Sequence, residues 1–376
     1  MSSIKLKHSS GNGVSISAPD TNPSSDRTLK LPSIDADGIV ATKDTSDNLV
    51  SVSGMNGGQL SNRNLIGNGD FLVAQRGTTS AFGGYHTVDR FKCQTSSVDE
   101  QPTQAQVDVA SGTTPYSLGF RKAFKITNGN QTSGAGSGDL VKIQTAVEAQ
   151  DVAASGWNYT SSTSYISLQF WVKSSIAQNF YFNLITRDGT ISNYVMETGS
   201  LAANTWTKIT KKIPGATGLQ FDNNEDEGLR FEFTLFRGTD STGTRPLNAW
   251  AALDSSTRMP DYTTTWYTTN DATFEITGVQ LEVGDTPTAF EHLKFGDSLR
   301  QCQRYCFRDG TDRFHYGNYS QEHYDFPVQM RVNPTVTLES VPSGGSVNRA
   351  RPCWVTITGM GSNNGNIKVK AEAEFG

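Results

Sequence analysis

Several features are scarce or missing in this chain of 376 residues, and each absence removes a class of protein. Cysteine occurs four times, at Cys93, Cys302, Cys306 and Cys353, which is too few for a disulfide framework in a chain of this length. No run of 18 apolar residues occurs, so no membrane-spanning helix is predicted. The N-terminal stretch MSSIKLKHSSGNG lacks the apolar region of a signal peptide. We therefore expect synthesis and assembly in a cytoplasm, with reduced cysteines.

Charge is also low, and no stretch is strongly basic. The chain has 32 Lys and Arg residues against 37 Asp and Glu, a formal net charge of −5. A mild negative charge without a Lys/Arg run argues against nucleic-acid binding. Only 35% of the residues are hydrophobic, and Gly, Ser, Thr and Asn supply much of the remainder. This composition favours turns and short strands over long helices.

The common catalytic signatures are missing. The sequence contains no G-x-S-x-G, no phosphate-binding P-loop and no C-x-x-C. It also lacks the long internal repeat of polysaccharide-cutting β-helices. The acidic stretch DNNEDEG (222–228) is interpreted as a solvated turn before a strand. The sequence therefore predicts a protein that is not an enzyme.

Residues 1–62 form a distinct N-terminal segment. Short apolar pairs such as Ile4/Leu6, Val14/Ile16, Leu29/Leu31, Ile39/Val40 and Leu49/Val50 are separated by turn-forming stretches. Each pair is too short to build a core of its own. The segment is predicted to be extended and packed on a partner chain or assembly, and disorder is the alternative.

Residues 63–292 read as one large all-β unit. Alternating apolar residues mark strands at 165–172, 179–187, 205–213, 229–236 and 273–283. On the first, Ile166, Leu168, Phe170 and Val172 share one face, and on the second Phe180, Phe182 and Leu184 do so. Many such strands, with turns and no helical period between them, predict an antiparallel β-sandwich of the jelly-roll type.

The stretch TFEITGVQLEV changes phase in its middle. Phe274 and Ile276 share one parity, whereas Val279, Leu281 and Val283 share the other. One extra residue would turn every later side chain to the opposite face. A β-bulge at Gly278 would absorb the change, so we expect one long bent strand.

The remaining chain is predicted as a linker, 293–306, and a small C-terminal β domain, 307–376. Asp297 is a plausible N-cap for a short helix SLRQCQRYC, on which Cys302 and Cys306 would share a face with Leu299. The alternative begins a strand near Tyr305. A zinc site would need four ligands, and without paired cysteine motifs the thiols are interpreted as small buried hydrophobic groups.

Four stretches carry a resemblance to bacteriophage proteins. NLIGNGDFLVAQRGTT with GYHTVDRFKC resembles the opening of a jelly-roll module of phage tail and virion proteins. GVQLEVGDTPTAFEHLKFGDSLRQCQRYC is similar to its closing strand and linker, and FPVQMRVNPTVT to the start of the small domain that follows. IKLKHSSGNGVSISAP with RTLKLP resembles the leader of tail-fibre proteins of marine and cyanobacterial phages.

The resemblance implies a virion structural protein, most simply a homotrimeric tail fibre with a carbohydrate-binding-like jelly roll. Residues 1–62 would then attach it to other virion proteins, and the rest would face a glycan or receptor on the host surface. It also implies a structural calcium ion near the first and last strands, where Asp70 and Glu282 match the acidic positions. Exposed carboxylates without a metal are the alternative. No other cofactor is expected.

Two groups of residues are candidates for glycan binding, because aromatic faces stack on sugar rings and amide or guanidinium groups bond hydroxyls. The strand candidates, on the polar faces, are Trp171, Gln169, Tyr181, Asn183 and Arg187, with Tyr165, Glu232, Thr234 and Phe236 beside them. The candidates in the long loop 248–270 are Trp250, Tyr262, Trp266 and Tyr267. A subunit interface, or packing beneath loops, is the alternative role for these residues.

Three functions compete at this stage. The leading hypothesis is a tail fibre that adheres to the host surface and resides in the phage tail. The second is a capsid decoration or head-fibre protein with a structural role only. The third, a polysaccharide-binding module of a cellular protein, is disfavoured by the missing secretion signal.

Overall fold

The structure is a computed structural model that describes residues 61–309, 313–315, 321–360 and 363–376, together with the backbone of four short strands before them. Its contacts divide the chain into two compact units, Met1–Ser53 and Gly54–Gly376. In the part that is described, no helix is long and apolar enough to cross a membrane.

The first unit contains two antiparallel strand pairs. Strands β1 (Ser3–Lys7) and β2 (Gly13–Ser17) pair with Ile4 opposite Ile16, and β3 (Thr42–Lys43) pairs with β4 (Leu49–Ser51). Extended structure at the apolar pairs Ile4/Leu6, Val14/Ile16 and Leu49/Val50 is thus confirmed. The pairs Leu29/Leu31 and Ile39/Val40 lie outside the described residues.

The second unit begins with a β-sandwich. Its elements in chain order are β5 (Thr79–Ser80), β6 (Lys92–Ser96), β7 (Thr103–Asp108), α1 (Thr114–Ser117), β8 (Lys122–Thr127), β9 (Leu140–Glu148), α2 (Ala149–Ala153), β10 (Tyr165–Ser174), β11 (Tyr181–Thr186), β12 (Ser192–Glu197), β13 (Thr207–Pro214), β14 (Glu227–Arg237), a 3₁₀ turn (Thr239–Ser241), β15 (Trp250–Ala252), α3 (Thr265–Thr268) and β16 (Thr273–Val283).

These strands form two six-stranded antiparallel sheets. The first sheet has the order β13-β10-β16-β8-β7-β5, and the second has the order β15-β12-β11-β14-β9-β6. Neighbouring strands are rarely consecutive in the sequence, so the chain crosses repeatedly from one sheet to the other. The predicted all-β, jelly-roll sandwich is therefore confirmed.

Alternation along the strands builds the core between the sheets. Ile166, Leu168, Phe170 and Val172 of β10 are all fully buried, as their shared face predicts. Phe170 packs edge-on against Phe182 of the second sheet at 5.0 Å between ring centroids. Aromatic pairs of this kind add about 1 kcal/mol to the free energy gained by burial alone.

The predicted bulge at Gly278 is present. Gln280 of β16 pairs with Gln169 and Thr277 with Trp171, so two residues of β16 oppose one residue of β10. Gly278 has φ +66°, and a Cβ atom there would lie 2.6 Å from the ring of Phe120. Glycine is required at this position both by its backbone conformation and by the close approach of the ring.

A helix and a small β module follow the sandwich. Their elements are α4 (Phe295–Gln303), β17 (Cys306–Arg308), β18 (Arg313–His315), β19 (Gln321–Asp325), β20 (Thr335–Ser340), β21 (Ser346–Arg351), β22 (Trp354–Thr358) and β23 (Gly365–Glu372). Strands β17, β18 and β20 pair with β23, while β19 and β21 pair with β22.

The helix differs from its prediction at both ends. Its N-cap is Lys294 rather than Asp297, which lies in the first turn. The helix ends at Gln303 because Cys306 enters β17 and pairs with Glu372. Cys306 therefore does not share a helical face with Cys302, and the alternative strand near Tyr305 is also present.

The end of the chain joins the β module to the sandwich through buried ion pairs. Arg76 of the sandwich, whose side chain is 2% exposed, contacts Asp89 at 3.2 Å, Glu372 at 2.9 Å and Glu374 at 3.2 Å. Arg90 contacts the other oxygen of Glu374 at 2.6 Å. The Glu374 carboxylate thus bridges two buried arginines, and Asp89 and Glu372 supply further negative charge to Arg76.

Replacing Glu374 tests this junction. Glu374→Gln leaves the guanidinium groups of Arg76 and Arg90 short of a carboxylate inside the protein, so the free energy of unfolding should fall by about 3 kcal/mol. Asp108→Asn is the matched control, since its pair with Lys122 is solvent-exposed and should contribute under about 1 kcal/mol. Urea unfolding of both variants measures the difference, and equal losses would contradict the role of Glu374.

Candidate functional site

The predicted glycan-binding face is divided between two sheets. Strand β10, with Gln169 and Trp171, lies in the first sheet, whereas β11, with Tyr181 and Asn183, lies in the second. Their polar residues point away from the shared core and therefore lie on opposite outer surfaces of the sandwich. The two sets of candidates do not form one groove, and each face is described separately.

On the outer face of the first sheet, the candidates have structural partners. The Gln169 side chain is 3% exposed, and its Nε2 donates to the carbonyl of Thr288 at 2.7 Å. Trp171 is half-buried in an apolar cluster around Phe120 that also includes Trp206. Both side chains thus take part in local packing, as the alternative interpretation of covered aromatic residues expects.

The loop candidates also include core residues. Trp266 and Tyr267, on the short helix α3, are 0% and 1% exposed. The indole Nε1 of Trp266 donates to the carbonyl of Thr273 at 3.2 Å, and Tyr267 stacks on Phe236 at 4.2 Å between centroids. Neither ring offers a face to a ligand in this conformation, because the loop folds them between the sheets. Both rings are therefore in the alternative arrangement, packed beneath a loop.

The other two loop candidates are half-buried. The indole Nε1 of Trp250 donates to the carbonyl of Pro214 at 2.7 Å, at the edge of the second sheet. Tyr262 lies 5.1 Å from Tyr181 between ring centroids, and its hydroxyl is 3.3 Å from the carbonyl oxygen of Thr234. Tyr262 therefore joins the long loop to the outer face of the second sheet.

That outer face carries a continuous row of polar side chains. Glu232 of β14 lies opposite Gln144 of β9 on one side and Asn183 of β11 on the other. Thr234 is likewise opposite Lys142 and Tyr181. Together with Arg237 at the end of β14, these side chains form what we call the polar strip: Lys142, Gln144, Asn183, Glu232, Thr234 and Arg237.

A second bulge places the last residue of the strip. Thr234 pairs with Lys142 and Phe236 with Val141, so β14 has one extra residue between them. Phe236 consequently turns inward, where it is 3% exposed, and Arg237 turns to the outer face. The sequence pattern, which assigned Phe236 to the same face as Glu232 and Thr234, was wrong at this position.

The polar strip is buried but incompletely hydrogen-bonded. Each of its side chains is at most 7% exposed. Five side-chain atoms of the strip are buried and have no hydrogen-bond partner among the described residues. They are Nε2 and Oε1 of Gln144, Oδ1 of Asn183, Oγ1 of Thr234 and Nε of Arg237. More than about 90% of buried polar groups normally have one. Five such atoms on one sheet face are therefore an unusual concentration of unsatisfied polar groups.

An ion pair joins two charged residues of the strip, Lys142 and Glu232. Lys142 Nζ donates to Glu232, and Arg230 binds Glu227 through two of its nitrogens. Burial alone would raise the pKa of Glu232, but the adjacent charge and hydrogen bond of Lys142, with Arg237 and Arg230 nearby, hold it below its ordinary value. Glu232 is therefore ionised at neutral pH.

Aromatic and basic side chains border the strip. Tyr181 and Tyr262 lie at one end, and at the other Tyr85 lies 5.2 Å from the ammonium group of Lys92. The predicted candidate Arg187 is half-buried and pairs with Glu227 at 3.2 Å. Tyr181, Asn183, Arg187 and Tyr262 are thus the predicted residues that the structure brings to one face.

Sequence reasoning missed part of this face. Lys142, Gln144 and Arg237 were not among the candidates. Lys142 and Gln144 alternate with the buried Val141 and Ile143 in LVKIQTAVE, which is a period-two signal for a strand. Nothing in the sequence marks the bulge that turns Arg237 to the outer face, because no glycine lies between Thr234 and Phe236.

The acidic residues suggested for calcium lie in different settings. Asp70 is 5% exposed, and burial raises the pKa of its carboxyl group. The Glu282 carboxylate accepts bonds from the backbone N and hydroxyl of Thr288, at 2.6 and 2.8 Å, and lies 3.4 Å from Arg63. Among the described residues, no three His, Cys, Asp or Glu side chains cluster suitably for a metal. Calcium binding stays a prediction.

The cysteines show no arrangement for chemistry. Cys93, Cys302 and Cys306 are buried as free thiols, whereas Cys353 is exposed. Burial raises the pKa of the Cys93 thiol to about 12, which keeps it in the unreactive thiol form. The three buried thiols act as small apolar groups.

The different roles of two tryptophans can be tested. Trp266→Ala removes a fully buried ring from the core and should lower the free energy of unfolding by about 4 kcal/mol. Trp171→Ala, the matched control on a half-exposed ring, should cost about 1–2 kcal/mol. Thermal and urea unfolding measure both, and a small loss for Trp266→Ala would show that its ring is free at the surface.

Comparison with known proteins gives only distant similarities. No family model and no curated protein matches the sequence. The enzymatically active domain of tailspike protein 4 of bacteriophage CBA120 is 10% identical over 58% of this chain and 21% of its own, with a TM-score of 0.31. The N-terminal cellulose-binding domain of β-1,4-glucanase C from Cellulomonas fimi is 10% identical over 57% of this chain and 100% of its own, with a TM-score of 0.27.

A third similarity covers more of the chain. The CBM22-1-CBM22-2 tandem domain of Xyn10C from Paenibacillus barcinonensis is 10% identical over 86% of this chain and 92% of its own, with a TM-score of 0.28. All three scores lie below 0.5. The assignment of the sandwich rests on the strand order and register of this chain.

Proposed function

We propose that this protein is a virion-attached adhesion protein of a phage tail fibre and that it binds a glycan of the host surface through the outer face of its second sheet. The observation that carries the proposal is the polar strip, where five buried polar atoms lack partners within the described protein. Leaving a buried donor or acceptor unpaired costs about 1–3 kcal/mol. A bound polar ligand would recover that free energy.

The chemistry of the strip suits sugar hydroxyls. Gln144 and Asn183 each offer an amide, which can both donate and accept, and Thr234 offers a hydroxyl. Tyr181 and Tyr262 lie half-buried at the end of the strip, and the exposed part of each ring could contact the apolar side of a sugar ring. Polar groups on a fixed sheet, bordered by aromatic rings, are typical of a preformed ligand site.

The same geometry supports binding without catalysis. Glycoside hydrolysis needs one carboxylic acid that can donate a proton and a second carboxylate near it. Glu232, the one carboxylate of the polar strip, is held ionised by Lys142 and is 1% exposed. A residue in that state orients neighbouring groups but does not supply a proton. The protein is therefore proposed to hold its ligand unchanged.

The phage assignment rests on the sequence. The opening NLIGNGDFLVAQRGTT, the closing GVQLEVGDTPTAFEHLKF and the leader IKLKHSSGNGVSISAP resemble those of tail and virion proteins. Residues 1–62 are proposed to join the protein to other tail proteins. The apolar pairs of this segment, such as Ile4/Leu6, are too short to build a core within one chain, which favours packing against symmetry-related copies in a homotrimer.

Binding can be tested on a glycan array with variants on the two outer faces. Asn183→Ala removes an amide of the polar strip, and Tyr181→Ala removes a bordering ring. Each should weaken binding by about tenfold, the effect of losing one hydrogen bond or one stacking contact of about 1.4 kcal/mol. Gln169→Ala, on the opposite face, is the control and should bind as the wild type does.

Two results would count against the proposal. Loss of binding in Gln169→Ala with retention in Asn183→Ala would move the site to the first sheet. Absence of glycan binding by a folded wild-type protein would remove it altogether. Recovery of the bound glycan at its original length checks that no bond has been cleaved.

The assembly can be tested on the full chain. Light scattering at micromolar concentration should give three times the mass of one chain, because the leader strands would be buried between copies. A stable monomer would contradict the trimer. On intact particles, a label on residues 1–62 should be found at the tail, and a label on the capsid would instead favour a head-fibre or decoration protein.

A further inference from the structure

Arg237 is a buried arginine without a partner. It is 7% exposed, and among the described residues none of its guanidinium nitrogens has an ion pair or hydrogen bond. Arg76 and Arg90 are similarly buried, but both contact carboxylates at 2.6–3.2 Å. A buried charge is costly unless it is paired and hydrogen-bonded. Arg237 therefore differs from Arg76 and Arg90 in having no carboxylate partner among the described residues.

The surroundings of Arg237 do not neutralise it. Burial lowers the pKa of its guanidinium, and the attraction of Glu232 only partly opposes this effect. The Glu232 carboxylate is already bonded to Lys142 and lies 3.6 Å from Arg230. Arg230 in turn binds Glu227. Glu232, the carboxylate whose charge acts on Arg237, is thus already engaged by other cations.

The position of Arg237 gives this charge access to a ligand. The bulge in β14 turns the side chain to the outer face, next to Thr234 of the polar strip. Its Nε is fully buried, so the 7% exposure of the residue belongs to its other atoms. The terminal nitrogens form a planar fork that matches the two oxygens of a carboxylate or sulfate.

We propose that Arg237 binds the anionic group of an acidic saccharide whose sugar rings lie along the polar strip. The anionic group is a carboxylate, as in a uronic acid, or a sulfate ester. This inference rests on the glycan-binding function proposed above and specifies the class of glycan. The ligand would supply the oxyanion that the protein itself does not provide.

The proposal can be tested with matched acidic and neutral probes. Oligomers of galacturonic acid are compared with the same oligomers after methyl esterification, which keeps the rings but removes the charges. Dextran sulfate is compared with dextran in the same way. Calorimetric titration of the full chain near physiological salt suits this test, because screening weakens long-range attraction more than a contact ion pair.

Three variants separate the role of Arg237 from that of net charge. Arg237→Gln removes the charge at the site, and Arg237→Lys keeps it without the fork. Arg300→Gln, on the exposed side of α4, removes one positive charge elsewhere. Affinity for the acidic probe should fall at least about tenfold in Arg237→Gln, fall less in Arg237→Lys and stay unchanged in Arg300→Gln.

Stability gives an independent readout. Because an unpaired buried guanidinium costs free energy in the absence of ligand, Arg237→Gln should melt at or above the wild-type temperature. A marked fall would show that the guanidinium is held by partners in the protein and would overturn the proposal. The wild-type preference for free over esterified oligomers is a second measurement that requires no variant.

The outcomes are distinct from those of the proposed function. Preference for one acidic probe over its neutral partner, lost in Arg237→Gln, supports the inference, and the galacturonate and sulfate arms identify the anionic group. Equal binding of acidic and neutral probes overturns it while leaving glycan binding intact. If neither these probes nor the glycan array shows binding, both proposals fail.

Discussion

The packing of two aromatic-rich inner faces is the constraint on which the rest of the structure depends. Phe170 of the first sheet meets Phe182 and Phe233 of the second, at 5.0 and 5.7 Å between ring centroids. Because side chains alternate along a strand, fixing these residues inward fixes every neighbouring side chain outward. The polar strip is the outward half of the same strands, so the core that holds the sheets together also positions the candidate site.

Two β-bulges change the face of the sheet on which the later side chains of a strand lie. At Gly278, the bulge keeps β16 in the first sheet while its later residues change face, with the ring of Phe120 packed against the glycine. In β14, the bulge before Phe236 sends that ring into the core and Arg237 outward. Because of this single extra residue, the last outward-facing side chain of β14 is the charged Arg237 instead of the apolar Phe236.

The C-terminal module depends on a different interaction. The Glu374 carboxylate bridges Arg76 and Arg90 of the sandwich, while Arg90 also lies 3.3 Å from the centre of the Tyr305 ring. The buried guanidinium groups of Arg76 and Arg90 thus have partners from the C-terminal part of the chain, namely Glu374 and Tyr305. Arg237 differs from these two arginines, because Arg76 and Arg90 are paired with carboxylates whereas Arg237 has no ion pair among the described residues.

The sequence by itself determined the fold class, the inward faces of β10 and β11, and the glycine bulge, because each follows from alternation within one strand. Only the tertiary structure decided that those two strands lie in different sheets, since alternation identifies the faces of a strand but not its neighbours. It also placed Trp266 and Tyr267 in the core, where the loop carries them. The outward position of Arg237 follows from the register of β14 on β9, which a residue pattern within one strand does not predict.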